Sequence, residues 1–270
     1  DICLPTDQHE KVALAALQAG KHVLVEKPIA IQLDAAQRML QAAEKAGKVL
    51  MVAQVLPFFP EFRWVRETVL SGQYGKILGA SFRRVIAEPN WSEEMSDFRK
   101  LGGWGIDLHI HDNHYISLLC GVPQAVFSRG LLKDGFVNHV STQYVFEDRD
   151  LTVSCVSGGI AAPGLKFAQS FEVFLERATL QFDAGTYGTG WVVNRPLTLL
   201  DHTGQITNPD PGGGGSWCAA FTAELQAAIN GLQTGSAAPE LSGELACDAL
   251  RLCYAEAESI ASGEKVAVHK

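Results

Sequence analysis

Two groups of side chains in this sequence have the types and spacing that proton transfer requires. The first is Asp107, His111 and His114, in the stretch that runs Gly102-Gly103-Trp104-Gly105-Ile106-Asp107-Leu108-His109-Ile110-His111. At about 100° per residue on a helix, these three fall within roughly 60° of one another, while His109 points to the opposite side. A carboxylate and an imidazole one turn apart suit general acid–base chemistry on a hydroxyl, because the imidazole titrates near neutral pH and the carboxylate can fix its tautomer. The second is Lys27, at the end of the apolar run Val23-Leu24-Val25-Glu26-Lys27-Pro28. In open α/β sheets, ligands bind at that carboxyl edge. Simpler readings compete. Lys27 can be a solvated surface charge, Asp107 and His111 a helix-surface ion pair, and Asp107, His111 and His114 the ligands of a metal. His109 and His114 taken singly read as structural.

These residues need elements to aim them. Residues 1–55 alternate apolar runs with helical segments in the order strand, helix, strand, helix, strand, the pattern of a parallel sheet with crossover helices. A helix capped by Thr6 or Asp7 ends at Gly20. His22–Val25 is a buried strand, a helix over about Asp34–Ala46 ends at Gly47, and Val49–Ala53 is the next strand. Pro60 opens a helix to about Leu70. Beyond it, seven strands are predicted over Ile77–Ala87, Ala125–Leu132, Val140–Phe146, Leu151–Ser157, Ser170–Leu175, Thr179–Phe182 and Trp191–Leu200. Short turns between them imply a largely antiparallel sheet. One helix over Gly103–Leu119 interrupts them, and helices over about Trp217–Asn230 and Ser242–Ser262 close the chain, with Gly231 and Gly263 as stops. The run Asn208–Gly215 reads as a loop leading to Ser216 as a cap, because it lacks the strand and spacing of a phosphate-binding motif.

The fold class is therefore α/β: a parallel sheet with crossover helices at residues 1–56, followed at 57–270 by an α+β part with a mostly antiparallel sheet. The opening Asp1-Ile2-Cys3-Leu4-Pro5 reads as the end of a strand, so an upstream segment is expected. Forty-seven per cent hydrophobic residues supply a core. Apolar runs fall short of the roughly 18 residues of a membrane span. Twenty-two basic against thirty acidic residues, a formal charge of −8, disfavour a nucleic-acid partner. Six scattered cysteines fit reduced thiols in a cytoplasm. Apolar residues on both faces of Val140–Phe146 and Leu151–Ser157, among them Val153, Cys155 and Val156, point to a homo-oligomer formed through the open sheet face.

In order and spacing, Asp1 to His9, Val23-Leu24-Val25-Glu26-Lys27-Pro28, Gly102-Gly103 with Asp107-x-x-x-His111, and Phe221 to Val268 resemble the glucose-fructose oxidoreductase and inositol dehydrogenase family. The resemblance implies an NAD(P)-dependent oxidoreductase acting on a sugar or cyclic polyol, built from the remainder of a Rossmann-type parallel sheet domain at residues 1–56 and an α+β domain with a large open-faced sheet at 57–270, with NAD or NADP between them and no metal. It also implies about 65 absent residues that would carry the glycine-rich loop and ribose selector, the size of two βα units. Lys27, Asp107 and His111 take the catalytic roles, Lys27 orienting the substrate hydroxyl and His111 taking its proton. Leu4, Pro5, Thr6, His9, Glu26, Lys27, Pro28 and Gln54 line the cofactor, while Lys27, Trp91, Asp107 and His111 meet the substrate. The Lys27–Pro28 bond is expected to be cis. His109 stands where many members have Gly, and Pro57 where many have Arg. A silent sugar-binding or regulatory relative, and a metal-dependent hydrolase or isomerase, are the rival functions.

Overall fold

The computed structural model describes residues 1–88, 100, 102–148, 150–212 and 218–268. Trp91 and the expected cap at Ser216 lie outside these residues.

The first part of the chain is built as its periodicity requires. Helix α1 (His9–Gln18) buries Ala13 and Leu17, and α2 (Leu33–Ala46) buries Ala35, Ala36, Met39 and Ala43. Helix α2 stops at Gly47, whose φ of 61° is a left-handed position that glycine takes without a Cβ penalty. Between them β1 (Val23–Glu26) pairs in parallel with β2 (Leu50–Ala53), in register Val25 with Val52 and Glu26 with Ala53. A parallel bridge from Ile2 to Val25 extends the same layer by one position. The three strand ends thus lie side by side at one carboxyl edge.

Helix α3 (Pro60–Leu70) opens on proline and buries Phe62 and Val65. Beyond it lies a nine-stranded sheet made of β3 (Ile77–Ala87), β4 (Ala125–Lys133), β5 (Phe136–Val145), β6 (Thr152–Ala161), β7 (Leu165–Leu175), β8 (Ala178–Tyr187), β9 (Gly190–Asp201), β10 (Ile206–Thr207) and β11 (Val266–Ala267). The spatial order is β10-β9-β8-β7-β3-β6-β5-β4-β11, antiparallel except where β3 meets β6. One face buries Phe82, Val153, Cys155, Phe171 and Phe182 against Phe62, Tyr115, Ile116 and Leu252 from helices. Among the described residues, no helix packs on the other face.

Three expectations change. The single helix at Gly103–Leu119 is two, α4 (Trp104–Asp107) and α5 (Ile110–Cys120). Helix α6 (Ala219–Thr234) runs through Gly231, which packs against Met51 and Ser236, and stops instead at left-handed Gly235. Val153 and Cys155 point into the core, leaving Val156 on the open face. Helix α7 (Gly243–Ser262), capped by the Ser242 hydroxyl, fastens the two sheets together. Its Ala246, Ala249 and Leu250 join the core of β1, β2 and α2, while Leu252 and Ala255 join that of the large sheet. No helix among the described residues is long and apolar enough to cross a membrane.

Candidate active site

At the end of β1 the chain turns through a cis Lys27–Pro28 bond, as the sequence leads one to expect, into buried Pro28, Ile29 and Ala30. This corner is braced by His9, buried with Nδ1 3.0 Å from the Pro28 carbonyl and Nε2 2.8 Å from the Leu4 carbonyl. Both ring nitrogens are committed to backbone. His9 therefore shapes the strand-end edge through two loops, with both ring nitrogens engaged by backbone carbonyls.

Lys27 reaches across to the second part of the chain. Its Nζ donates to the Asp107 carboxylate at 2.8 Å and to the Asp107 carbonyl at 2.7 Å. An ammonium carries three N–H donors, so one is left for another oxygen. Asp107 arrives there because Gly103, with φ 75° and ψ 174°, turns the chain sharply into α4 in a conformation other residues rarely adopt. The helix then widens. The His109 amide donates to the Trp104 carbonyl five residues back, at 2.9 Å, before α5 resumes at Ile110. Such π-type widening resets the side-chain directions on either side of it.

His111 follows the break, half-buried and close enough to Lys27 to feel its charge. Burial first, then the charges of Lys27 and Arg84 and the neighbouring His114, hold the imidazole well below its ordinary pKa, so it stands neutral. Its Nδ1 is buried without a partner. The expected tautomer-fixing contact from Asp107 is therefore corrected: the widened turn directs that carboxylate to Lys27. His114 is fully buried with neither ring nitrogen bonded, and burial pushes its pKa down to about 3.

His109 faces away, as the helical wheel requires, into a buried polar network. Its Nε2 lies 2.9 Å from Glu256, which also accepts from Asn113 and Thr142. Burial, the largest single influence, would strip its proton, but Glu256, Cys155 and Asp112 together outweigh it and raise the pKa well above the usual value. Among the described residues, the donor atoms of His109, Asp112 and Cys155 lie within 4.8 Å of one another, as a metal would need. However, His109 is engaged by Glu256 and Asp112 by Arg84.

Leu4, Pro5 and Thr6 follow Ile2 at the carboxyl edge and are partly to fully exposed; Glu26 and Gln54 sit beside them at the ends of β1 and β2. Gln54 is fully buried with neither amide atom bonded. One member of this edge escaped the sequence reading. Glu224, on α6, is buried with an unpartnered carboxyl oxygen, and its pKa rises to about 8 through burial and the nearby Glu26. A Glu in an Ala-rich helix carries no sequence signal of burial.

Residues 1–54 match the family model described as oxidoreductase family, NAD-binding Rossmann fold (GFO_IDH_MocA). The chain is 36% identical over 108 residues to 1,5-anhydro-D-fructose reductase of Ensifer adhaerens, a match covering 38% of this chain and 32% of that protein. It is 35% identical over 124 residues to D-glucoside 3-dehydrogenase of Escherichia coli strain K12, covering 45% of this chain and 35% of the relative. The matches thus span about a third of the length of these curated relatives. The solved structure of an NAD-binding oxidoreductase from Klebsiella pneumoniae superposes over 100% of this chain and 80% of its own with a TM-score of 0.85 at 23% identity, a likeness of fold. The strand-end motif and the two-sheet architecture agree with these likenesses: residues 1–54 match the NAD-binding Rossmann part of the Gfo/Idh/MocA oxidoreductases, and the whole chain shares the fold of a solved NAD-binding oxidoreductase.

Proposed function

We propose that this protein is an NAD- or NADP-dependent oxidoreductase that moves a hydride between the nicotinamide and a secondary hydroxyl or carbonyl of a sugar, cyclic polyol or sugar derivative. The observation that carries the reading is the Lys27 ammonium, with two donors fixed on Asp107 and one to spare, beside a neutral His111. The residues at the strand ends fit a dinucleotide. Gln54 presents an unsatisfied amide at the carboxyl edge, where its natural complement is another amide such as the nicotinamide carboxamide, and Leu4, Pro5 and Thr6 offer open backbone beside it. When bound, that cofactor accepts the hydride in oxidation and supplies it in reduction.

The chain's own residues do the rest. The third Lys27 N–H donates to the substrate oxygen, fixing its position and stabilising negative charge as it develops. A ring nitrogen of His111 accepts the hydroxyl proton while the carbinol C–H bond gives up its hydrogen and electron pair, leaving a carbonyl; reduction runs in the opposite sense. Asp107 holds Lys27 in place and aims it. The relatives' names, a reductase of 1,5-anhydro-D-fructose and a D-glucoside dehydrogenase, support a sugar-like substrate. The six cysteines, none of them in a disulfide, support a cytoplasmic setting, and the open sheet face supports a homo-oligomer.

The test is a panel of polyols and sugars assayed for reduced nicotinamide, with His111→Ala as the variant. General acid–base catalysis is worth about 10² to 10⁴ in rate, so turnover should fall about a hundredfold or more while nicotinamide binding, followed by fluorescence, stays near normal. Near-normal turnover in His111→Ala would place the base elsewhere.

A further inference from the structure

Behind His111 lies a charged side chain that the proposed chemistry has not yet used. Arg84, on β3, is 5% exposed, on the face of the sheet that packs against the helices. Its guanidinium is fixed on every side. Nε donates to both oxygens of Asp112, at 3.1 and 3.0 Å, Nη1 donates to Gln169 at 3.0 Å, and the rings of Phe62 and Phe167 flank it with centroids 5.9 and 5.8 Å away. Asp112 is the residue after His111, so the fork from Arg84 grips the first turn of the helix that carries the imidazole. Nη2 is left buried without a partner.

We propose that Arg84 is a positioning residue for the hydride-transfer step, fixed behind His111 so that the imidazole is both held in place and kept ready to accept a proton. This inference rests on the dehydrogenase reading above. The physical argument is that a cation locked in a dry site raises the cost of a second positive charge nearby, and the cation cannot turn away. Among the described residues, four elements supply the charged and titratable groups around His111: Lys27 after β1, Arg84 on β3, Asp107 on α4 paired to Lys27, and Asp112 and His114 on α5. Asp112 is spent on Arg84 and Asp107 on Lys27. Of the positive charges, Lys27 is partly exposed and shares its charge with the substrate, whereas Arg84 is permanent. Arg84 would thus add, behind burial and Lys27, a permanent contribution that keeps His111 neutral before substrate arrives.

The test uses the chain with ring-labelled histidines, following His111 by NMR as pH is varied and identifying its signal by loss in His111→Gln. Removing Arg84 alone strands the buried Asp112 charge and risks unfolding, so the informative variant removes both, Arg84→Met with Asp112→Asn. In the folded double variant, the His111 titration should move up by about one pH unit, and the acid limb of kcat/KM should move up with it. Arg84→Lys, which keeps the charge and loses the fork, should leave the titration low while kcat falls. A folded double variant with an unchanged His111 titration overturns the inference, as does a shifted titration with a stationary acid limb. Absence of turnover in the unaltered protein would sink the dehydrogenase reading separately, and the His111 titration would still decide whether Arg84 governs its charge.

Discussion

Glu224 turns a buried carboxyl into a measurable dependence of stability on pH. In the folded chain its pKa is about 8, against an ordinary 4.5, because burial and Glu26 both disfavour its charged form. Between these values the folded state holds a proton that the unfolded state lacks, so the stability tied to this group is full below about 4.5, declines as pH rises, and is lost above about 8. The amount is on the order of a few kcal/mol. Glu224→Gln, which cannot ionise, should flatten the fall of Tm across that window and leave the variant more stable than the parent at pH 9. Parallel Tm profiles would show that Glu224 is ionised in the folded state. At this scale the sequence was informative where chemistry demands a motif and silent where burial decides. Lys27, Asp107 and His111 stood out by type and spacing, the family resemblance proposed their roles, and the structure brings Lys27 onto Asp107 with His111 in range of its charge. The use of the Asp107 carboxylate was not legible, since a partner eighty residues away leaves no trace in a helical wheel.

The element that aims these side chains is the broken helix α4–α5, and it is held from below by the large sheet. Trp104 opens α4 and is 3% exposed, with Gly159 of β6 beneath its indole. A methyl group at Gly159 would overlap the indole Nε1 and Cδ1 atoms. Gly159→Ala should therefore push Trp104 outward and carry Asp107, three residues on, away from Lys27. Overpacking of this kind costs about 1–3 kcal/mol, and the loss of turnover should exceed what that destabilisation alone produces. A Gly159→Ala protein with normal kcat and an unshifted Tm would mean that the indole moves freely and that α4 is not set by β6. The break itself was invisible beforehand. The apolar period runs continuously through Leu108, and what opens the turn is tertiary: His109 is drawn inward by Glu256, Asn113 and Tyr144 add to the same network, and the widened turn follows. Strands were easier to read because alternation reports one buried face, and α2 and α7 because Gly47 and Gly263 mark their ends.

For the whole molecule, the decisive surface is the open face of the nine-stranded sheet. Sequence alternation located the strands but misjudged what that face carries. Val153 and Cys155 belong to the core, and outward-facing Val156 stands among Ser81, Arg83, Ser154, Ser170, Glu172, Gln181, Asp183 and Arg195. These side chains are already organised: Arg83 pairs with Asp183 at 3.0 Å, and Gln181 accepts from Arg195 at 2.6 Å and donates to Glu172 at 2.6 Å. Phe127, Leu131 and Phe174 remain exposed on the flanking strands. Two positive and two negative residues in one grid make a face that can complement itself across a two-fold axis, which is the usual geometry of a homodimer. A stable pairing there needs about 1,200–2,000 Å² of total buried surface, and only a face as broad as this sheet offers that much without opening the core. Light scattering at micromolar concentration should therefore read twice the chain mass or a multiple of it. Placing arginine at both Ser154 and Val156, on strand β6 next to the central β3, would set unpaired charge against its own copy and should return the chain mass with an unchanged circular dichroism spectrum. A chain mass for the unaltered protein, or a double arginine variant that still associates, would rule this face out.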